Sequence, residues 1–453
     1  MHDKIFGLMK KIWIIGLVIT FLATSCGDNS YNGELVGVQG RKKWYEPDPY
    51  GMLFIPQGSF NMGPSDQDVA WSMNTTSKTV TVDAFWMDET EITNNEYRQF
   101  VNYVRDSIIR YKLGDAQIEG FFKVDENGDE YDPPVIDWET KIDTRENPEI
   151  ADIMEEMYYP VEERYFGRKQ IDTRKLTYSY FWIDLKQAAK ESNRYNFETK
   201  QYEGQVYNLK GEKSQINDRS AFVLRDEVNC YPDTLVWIRD FTFSYNEPQA
   251  IMYFWHPSFD DYPVVGVTWK QANAFSIWRT QYLNTFLAQQ GQAFVQEFRL
   301  PSEAEWEHAA RGGLDFSMYP WGGLYTRNDQ GCFLANFKPL RGRYVDDGSL
   351  FSNKVASYEP NEFGLYDMAG NIAEWTKGSY DESSYIFTHD INPNYQHNAL
   401  PDDPAIMKRK VIRGGSWKDV AYFLQTSTRS FEYQDSAKSF IGFRNVRSYM
   451  GLQ

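Results

Sequence analysis

The chain has 453 residues and carries 64 Asp and Glu against 47 Lys and Arg, a net charge of −17. That balance argues against nucleic acid, whose phosphates need a concentrated basic surface, and against attachment to anionic lipid by charge alone. The length allows one large domain or two moderate ones. No His-Glu-x-x-His run, glycine-rich phosphate loop or nucleophile elbow occurs, and the five histidines are scattered.

Residues 1–25 read as a secretory signal. Lys4, Lys10 and Lys11 precede an apolar stretch from Ile12 to Ala23, too short and wrongly flanked for a spanning helix. Its end, Leu22-Ala23-Thr24-Ser25-Cys26, resembles a bacterial lipobox, which makes Cys26 the acylated N-terminus of the mature chain. A plain signal peptide cleaved nearby is the alternative. Several acyl chains on Cys26 would anchor the protein where one is marginal, and polar residues 26–50 suit a tether.

The folded part is expected from Gly51. Met52 to Met62 reads as a strand, a tight turn at Gln57-Gly58 and a second strand, and Lys78 to Met87 alternates like a half-buried strand. Thr93 with Glu96 makes a capping box ahead of an apolar stripe at Tyr97, Phe100, Val101, Val104 and Ile108. A second box at Thr268 and Gln271 opens a helix with Ala272, Phe275, Trp278 and Tyr282 on one face. A third at Ser302 and Glu305 opens a helix stopped by Gly312-Gly313. Its Glu303 and Glu307 read as dipole partners on a solvated face rather than an acid/base pair.

Residues 111–255 form an insertion between 51–110 and 256–453. It is polar and aromatic, with a hairpin turn at Asn127-Gly128. Asp125 to Glu130 is no EF-hand, since Glu130 stands where glycine is required and Ile136 where a bidentate glutamate is. An insertion of this size is uncommon as a passive loop and is expected to make contacts from the flank of the domain. Cys230 and Cys332 are the other two cysteines. They read as two buried free thiols, with a single disulfide as the alternative.

Five spaced motifs stand in order, Pro263-Val264-Val265-Gly266-Val267-Thr268-Trp269, Arg299-Leu300-Pro301-Ser302-Glu303-Ala304-Glu305-Trp306-Glu307, Tyr319-Pro320-Trp321-Gly322, Gly364 to Trp375 and Arg413-Gly414-Gly415-Ser416-Trp417, and the run closes on Gly442-Phe443-Arg444. Together they resemble the formylglycine-generating enzyme (sulfatase-modifying factor) family. The resemblance implies a loop-rich α+β fold, distantly like C-type lectins, with a large insertion after the first helix. Family enzymes bind copper through two cysteines just after the Gly-Gly-Ser motif and use oxygen to oxidise a substrate cysteine. Those positions fall near Asp419 and Leu424 here, and no cysteine follows Cys332. Two soft thiolates suit Cu(I), and a carboxylate and an aliphatic side chain do not replace them. Of the pocket residues only Ser416 matches, and a lone serine without a base is not an activated nucleophile. No copper and no catalysis are expected.

The resemblance also implies two structural calcium sites. The first would use the side chains of Asn336 and Asp347 with the carbonyls of Phe337 and Ser349. The second would use Asp367 and Glu374 with the carbonyls of Gly370 and Ile372. Ordinary turn chemistry is the alternative for all of them.

The lipobox, the inert domain and the long insertion are together similar to GldK/PorK-type lipoproteins of the type IX secretion and gliding machinery. Gly33 to Gly37, Tyr50-Gly51-Met52 and Met87 to Val101 carry that resemblance. It implies an outer-membrane lipoprotein facing the periplasm that self-associates in a large ring with a GldN/PorN-like partner and meets other type IX components. The paralogous GldJ lipoproteins are the nearest confusable group. A periplasmic protein holding a peptide or glycan in the vestigial pocket is the alternative from another class.

Overall fold

The computed structural model describes residues 46–64, 76–143, 147–242, 246–340, 343–346 and 349–451. Cys26 and Asp347 lie outside them. Within the folded unit, Asp48–Met450, the opening residues give β1 (Met52–Ile55), β2 (Gly58–Met62), β3 (Lys78–Val82) and β4 (Phe85–Asp88). The sequence suggests that β1 turns back into β2, but the two pair elsewhere. β1 runs antiparallel to β4, and β2 runs antiparallel to β3. Gly58, which opens β2, packs so closely that a Cβ there would lie 2.8 Å from the His308 ring. The alternating run after Lys78 is likewise divided between β3 and β4, and every residue of β4 is buried.

Three helices begin as their caps dictate. α1 (Asn94–Asp115) is capped by Thr93, α2 (Trp269–Gln289) by Thr268 and α3 (Glu303–Arg311) by Ser302, each with both hydrogen bonds of the box. Gly312, at φ +58°, closes α3 in the left-handed region that glycine tolerates. α1 buries Tyr97, Phe100, Val101 and Val104 and outlasts the expected stripe by several residues. On α2 the expected face holds through Trp278, whereas Tyr282 is 58% exposed. Replacing Thr268 by Ala removes the acceptor for the Gln271 N–H, and its effect should be a loss of about 1 kcal/mol, read as a lower urea midpoint at unchanged slope.

The other principal strands are β5 (Thr177–Ile183), β6 (Val223–Asn229), β7 (Phe298–Arg299), β8 (Ala373–Ser379), β9 (Arg409–Arg413), β10 (Ser430–Tyr433), β11 (Ile441–Gly442) and β12 (Val446–Ser448). One antiparallel sheet has the order β1-β4-β12-β7. A second has the order β10-β9-β8-β11, with β11 parallel to β8.

The insertion is not a flank decoration. β5 and β6 form its antiparallel ribbon, and Tyr178, Tyr180, Phe121, Trp237 and Tyr253 share one apolar core with Phe100, Phe275 and Trp278. Polar ties cross the same boundary. Tyr97 donates to the Cys230 carbonyl at 3.0 Å, and Gln271 Nε2 reaches the carbonyls of Asn229 and Tyr231 at 2.9 Å. Insertion and body therefore stabilise each other through burial that neither could complete alone. Both cysteines are free: Cys230 is buried and its thiol pushed up to about 12 by burial, but Cys332 is exposed, contrary to the expected pair of buried thiols. Among the described residues no helix is long and apolar enough to cross a membrane.

Candidate functional site

The site is assembled where β8, β9 and β11 meet. Register places Glu374 of β8 opposite Arg413 of β9 on one side and Gly442 of β11 on the other. β9 then ends, and Gly414 and Gly415, at φ +90° and +67°, turn the chain back. A Cβ on Gly415 would lie 2.7 Å from the Phe423 carbonyl oxygen, so only glycine allows that approach. The turn delivers Ser416, which is fully buried, and its Oγ donates to Asp419 Oδ2 at 2.6 Å. The Asp419 N–H returns to the Ser416 carbonyl at 2.9 Å, and the Trp417 N–H to that of Asn371 at 2.8 Å.

The structure thus brings Ser416 and Asp419 together and sends Leu424 elsewhere. Leu424 is sealed in an apolar cluster with Tyr319, Phe333, Phe337 and Ala369. A pocket of about 190 Å³ opens beside the turn, lined by Gly414, Gly415, Lys418, Asp419, Phe423 and Phe440. Lys418 lies over the Phe440 ring, 3.0 Å from its centroid, and burial lowers its pKa. The Ser416 hydroxyl is committed to the Asp419 carboxylate, and among the described residues no imidazole or amine is hydrogen-bonded to it. The Ser416–Asp419 bond closes the loop that follows β9.

The carboxylates expected to hold calcium do other work. Both oxygens of Glu374 face Arg444, at 2.6–2.9 Å from its Nε and NH2, and Oε2 also accepts the Trp306 indole N–H at 2.8 Å. A guanidinium in that position repels a cation, and the glutamate has no free oxygen to offer a hard ion. Glu374 of the second expected site is thus paired with Arg444 in this structure. Asp367 accepts the Ala356 N–H at 2.7 Å, and Gly370 lies so close to Asn336 that a Cβ built on it would stand 2.4 Å from the Asn336 carbonyl oxygen. The Ile372 N–H is directed at Glu91. At the first expected site, Asn336 Nδ2 donates to the Phe351 carbonyl at 2.8 Å, tying the segment before Phe337 to the one after Ser349.

Two residues of this buried group stand in the quoted motifs without an assigned role. Glu91, fully buried, accepts from Asn371 Nδ2 at 2.7 Å and from the Ile372 N–H at 3.2 Å. Burial, followed by repulsion from Asp367 and Glu374, raises its pKa well above the ordinary range. Arg444 is the cation around which Glu91, Asp367 and Glu374 gather. A charged residue closing the apolar run Phe440 to Phe443 was the available signal.

α3 departs from expectation in the same way. Glu303 and Glu307 face the interior, not water. Glu307 is bracketed by Arg413 NH2 at 2.5 Å and Arg311 NH2 at 2.7 Å, and Glu303 by Arg429 Nε at 2.5 Å. Burial alone would raise the Glu303 pKa, but Arg429 and Arg413 outweigh it and hold it below the usual range. Each carboxylate is neutralised and hydrogen-bonded, which is what makes a buried charge tolerable.

Comparison with known proteins places this architecture. A sulfatase-modifying factor enzyme 1-like domain (FGE-sulfatase) matches residues 42–449. The inactive C-alpha-formylglycine-generating enzyme 2 of Mus musculus is 32% identical over 192 residues, which is 41% of this chain and 49% of that protein. The formylglycine-generating enzyme of Streptomyces coelicolor is 32% identical over 190 residues, 41% of this chain and 52% of that one. The chain thus spans about half the length of these curated relatives. The structure of PvdO from Pseudomonas aeruginosa aligns with 88% of this chain and 94% of its own at 16% identity, with a TM-score of 0.42. With its α+β, loop-rich fold and a match from residue 42 to residue 449, the chain belongs to the FGE-sulfatase family.

Proposed function

We propose that the chain is a non-catalytic member of its family, an outer-membrane lipoprotein facing the periplasm that serves as a structural ring subunit of the type IX secretion and gliding machinery. The observation that carries the non-catalytic half is the state of the vestigial site. Where copper-binding thiols are expected, Asp419 is hydrogen-bonded to Ser416 and Leu424 is locked in an apolar cluster. Neither side chain is a soft ligand. Similarity to proteins named inactive formylglycine-generating enzymes supports the same reading.

The scaffold half rests on the lipobox ending at Cys26, the GldK/PorK-like segments and the insertion. Residues 115–163 hold seventeen Asp and Glu against three Lys and Arg, so this stretch carries a net −14 of the chain's −17. Field of that strength on one segment favours association with a basic partner surface and disfavours non-specific self-contact. A GldN/PorN-like ring partner would meet this face of the insertion.

The test is charge reversal on the exposed hairpin: Glu126→Lys, Asp129→Lys, Glu130→Lys and Asp132→Lys together. All four side chains lie outside the core, so the folded unit should keep its melting temperature. Assembly with the partner should fall sharply and depend on salt. Rings that form as readily in the reversed variant would sink the assignment of this face.

A further inference from the structure

A second cavity lies apart from the vestigial site. It opens between α1 and the insertion, encloses about 820 Å³ and shares no lining residue with the pocket beside Gly415. Its floor is apolar, with Val101, Leu176 and Phe254 buried. Trp255 stands at the rim, 51% exposed, its indole N–H tied to the Ile251 carbonyl at 2.8 Å. The ring is thus fixed in place while half its surface meets solvent.

The polar groups of the cleft fall into two sets. Arg98 is committed, bonded to Asp260 and to the Phe254 carbonyl. The side-chain amides of Asn102 and Gln170 line the cleft, and among the described residues they make no hydrogen bond. Arg105 uses only its Nε, on Asp106 at 2.7 Å, which leaves its two terminal nitrogens open. A carboxamide offers a donor and an acceptor side by side, the complement of a peptide unit. The open edge of a guanidinium matches a carboxylate in two parallel hydrogen bonds. An apolar floor with a few placed polar groups, at the seam between two parts of a fold, is the usual form of a ligand site.

We infer that this cleft docks an extended peptide segment of a partner protein, with one large apolar side chain on the Val101–Phe254 floor and one carboxylate on Arg105. A polyphosphate or nucleic acid is a poorer fit, because Arg98 is paired with Asp260, Arg174 with Asp172 and Glu163, and the chain as a whole is acidic. The inference stands on the cleft alone and does not depend on the ring reading.

The experiment selects a displayed library of random linear peptides on the purified chain and titrates the enriched sequences. They should combine a large apolar residue with Asp, Glu or a free C-terminus. Arg105→Glu and Trp255→Ala should each weaken their binding by about tenfold or more, with Arg105→Lys retaining part of it. A photoreactive group on the selected peptide should cross-link to the cleft of the unaltered chain, which answers the question even if a variant folds poorly. Absence of any enriched peptide, cross-links elsewhere, or binding unmoved by both substitutions would overturn the inference. So would a glycan-array probe whose binding the same substitutions abolish, since that would make the cleft a carbohydrate site.

Discussion

Arg444→Met should cost about 3–5 kcal/mol of stability near neutral pH, because it leaves Glu374 buried without its cation. The guanidinium is fully buried and also donates to the carbonyls of Asp88 and Tyr366, at 3.2 and 2.9 Å, so its loss orphans acceptors as well. The same arginine lowers the pKa values of Glu91 and Asp367. Without it, the buried carboxylates hold their protons more tightly. In the neutral form they are cheaper to bury, so the deficit should shrink as pH falls. Urea unfolding of both proteins at several pH values checks this. A loss below about 1 kcal/mol, the scale of an exposed pair, would show that the cluster is not the closed electrostatic unit described above.

Asp367→Asn should act in the opposite direction. Burial pushes the Asp367 carboxyl up to about 6, only partly offset by the Ala356 N–H and Arg444, and Glu374 adds to the rise. An acid whose folded pKa is raised binds its proton more tightly when folded. Stability is therefore lost as pH climbs from the unfolded value near 4 through about 6, and the full cost of about 3 kcal/mol is present above that window. Asparagine removes the charge while keeping an oxygen for the Ala356 N–H. It also suits the backbone, which has φ +55° at this position. The variant should match the parent near pH 4 and exceed it by up to about 3 kcal/mol above pH 7. Equal stability of the two proteins across that range would contradict the burial cost.

These two residues also mark the limit of what the sequence disclosed. All three long helices were legible from Thr93, Thr268 and Ser302, because a capping box is local: the partners stand three residues apart. The loop-rich α+β class followed from the ordered motifs. The charge states of the interior did not, because their partners are far apart in the chain. Glu303 meets Arg429 across 126 residues, and Glu374 meets Arg444 across 70. Seen only within its helix, Glu303 resembles a solvated first-turn carboxylate.

The same distance effect hid the true pairing of β1 and β2. It also hid the insertion's share in the core, since the aromatic content of residues 111–255 announces contacts but not with which surface. At the vestigial site the sequence brought Ser416 and Asp419 to one loop, and the hydrogen bond between them is local. Leu424 was the harder residue, because its cluster draws on Tyr319, Phe333 and Phe337 roughly a hundred residues earlier.

The most direct measurement is native purification of the full-length protein from the membranes of its own cells, with mass spectrometry and particle imaging of what comes with it. Large rings containing a GldN/PorN-like protein are the predicted result, and purified rings should form no formylglycine on a thiol peptide with copper and air. A lone monomer, or one that oxidises the peptide, would contradict the non-catalytic scaffold.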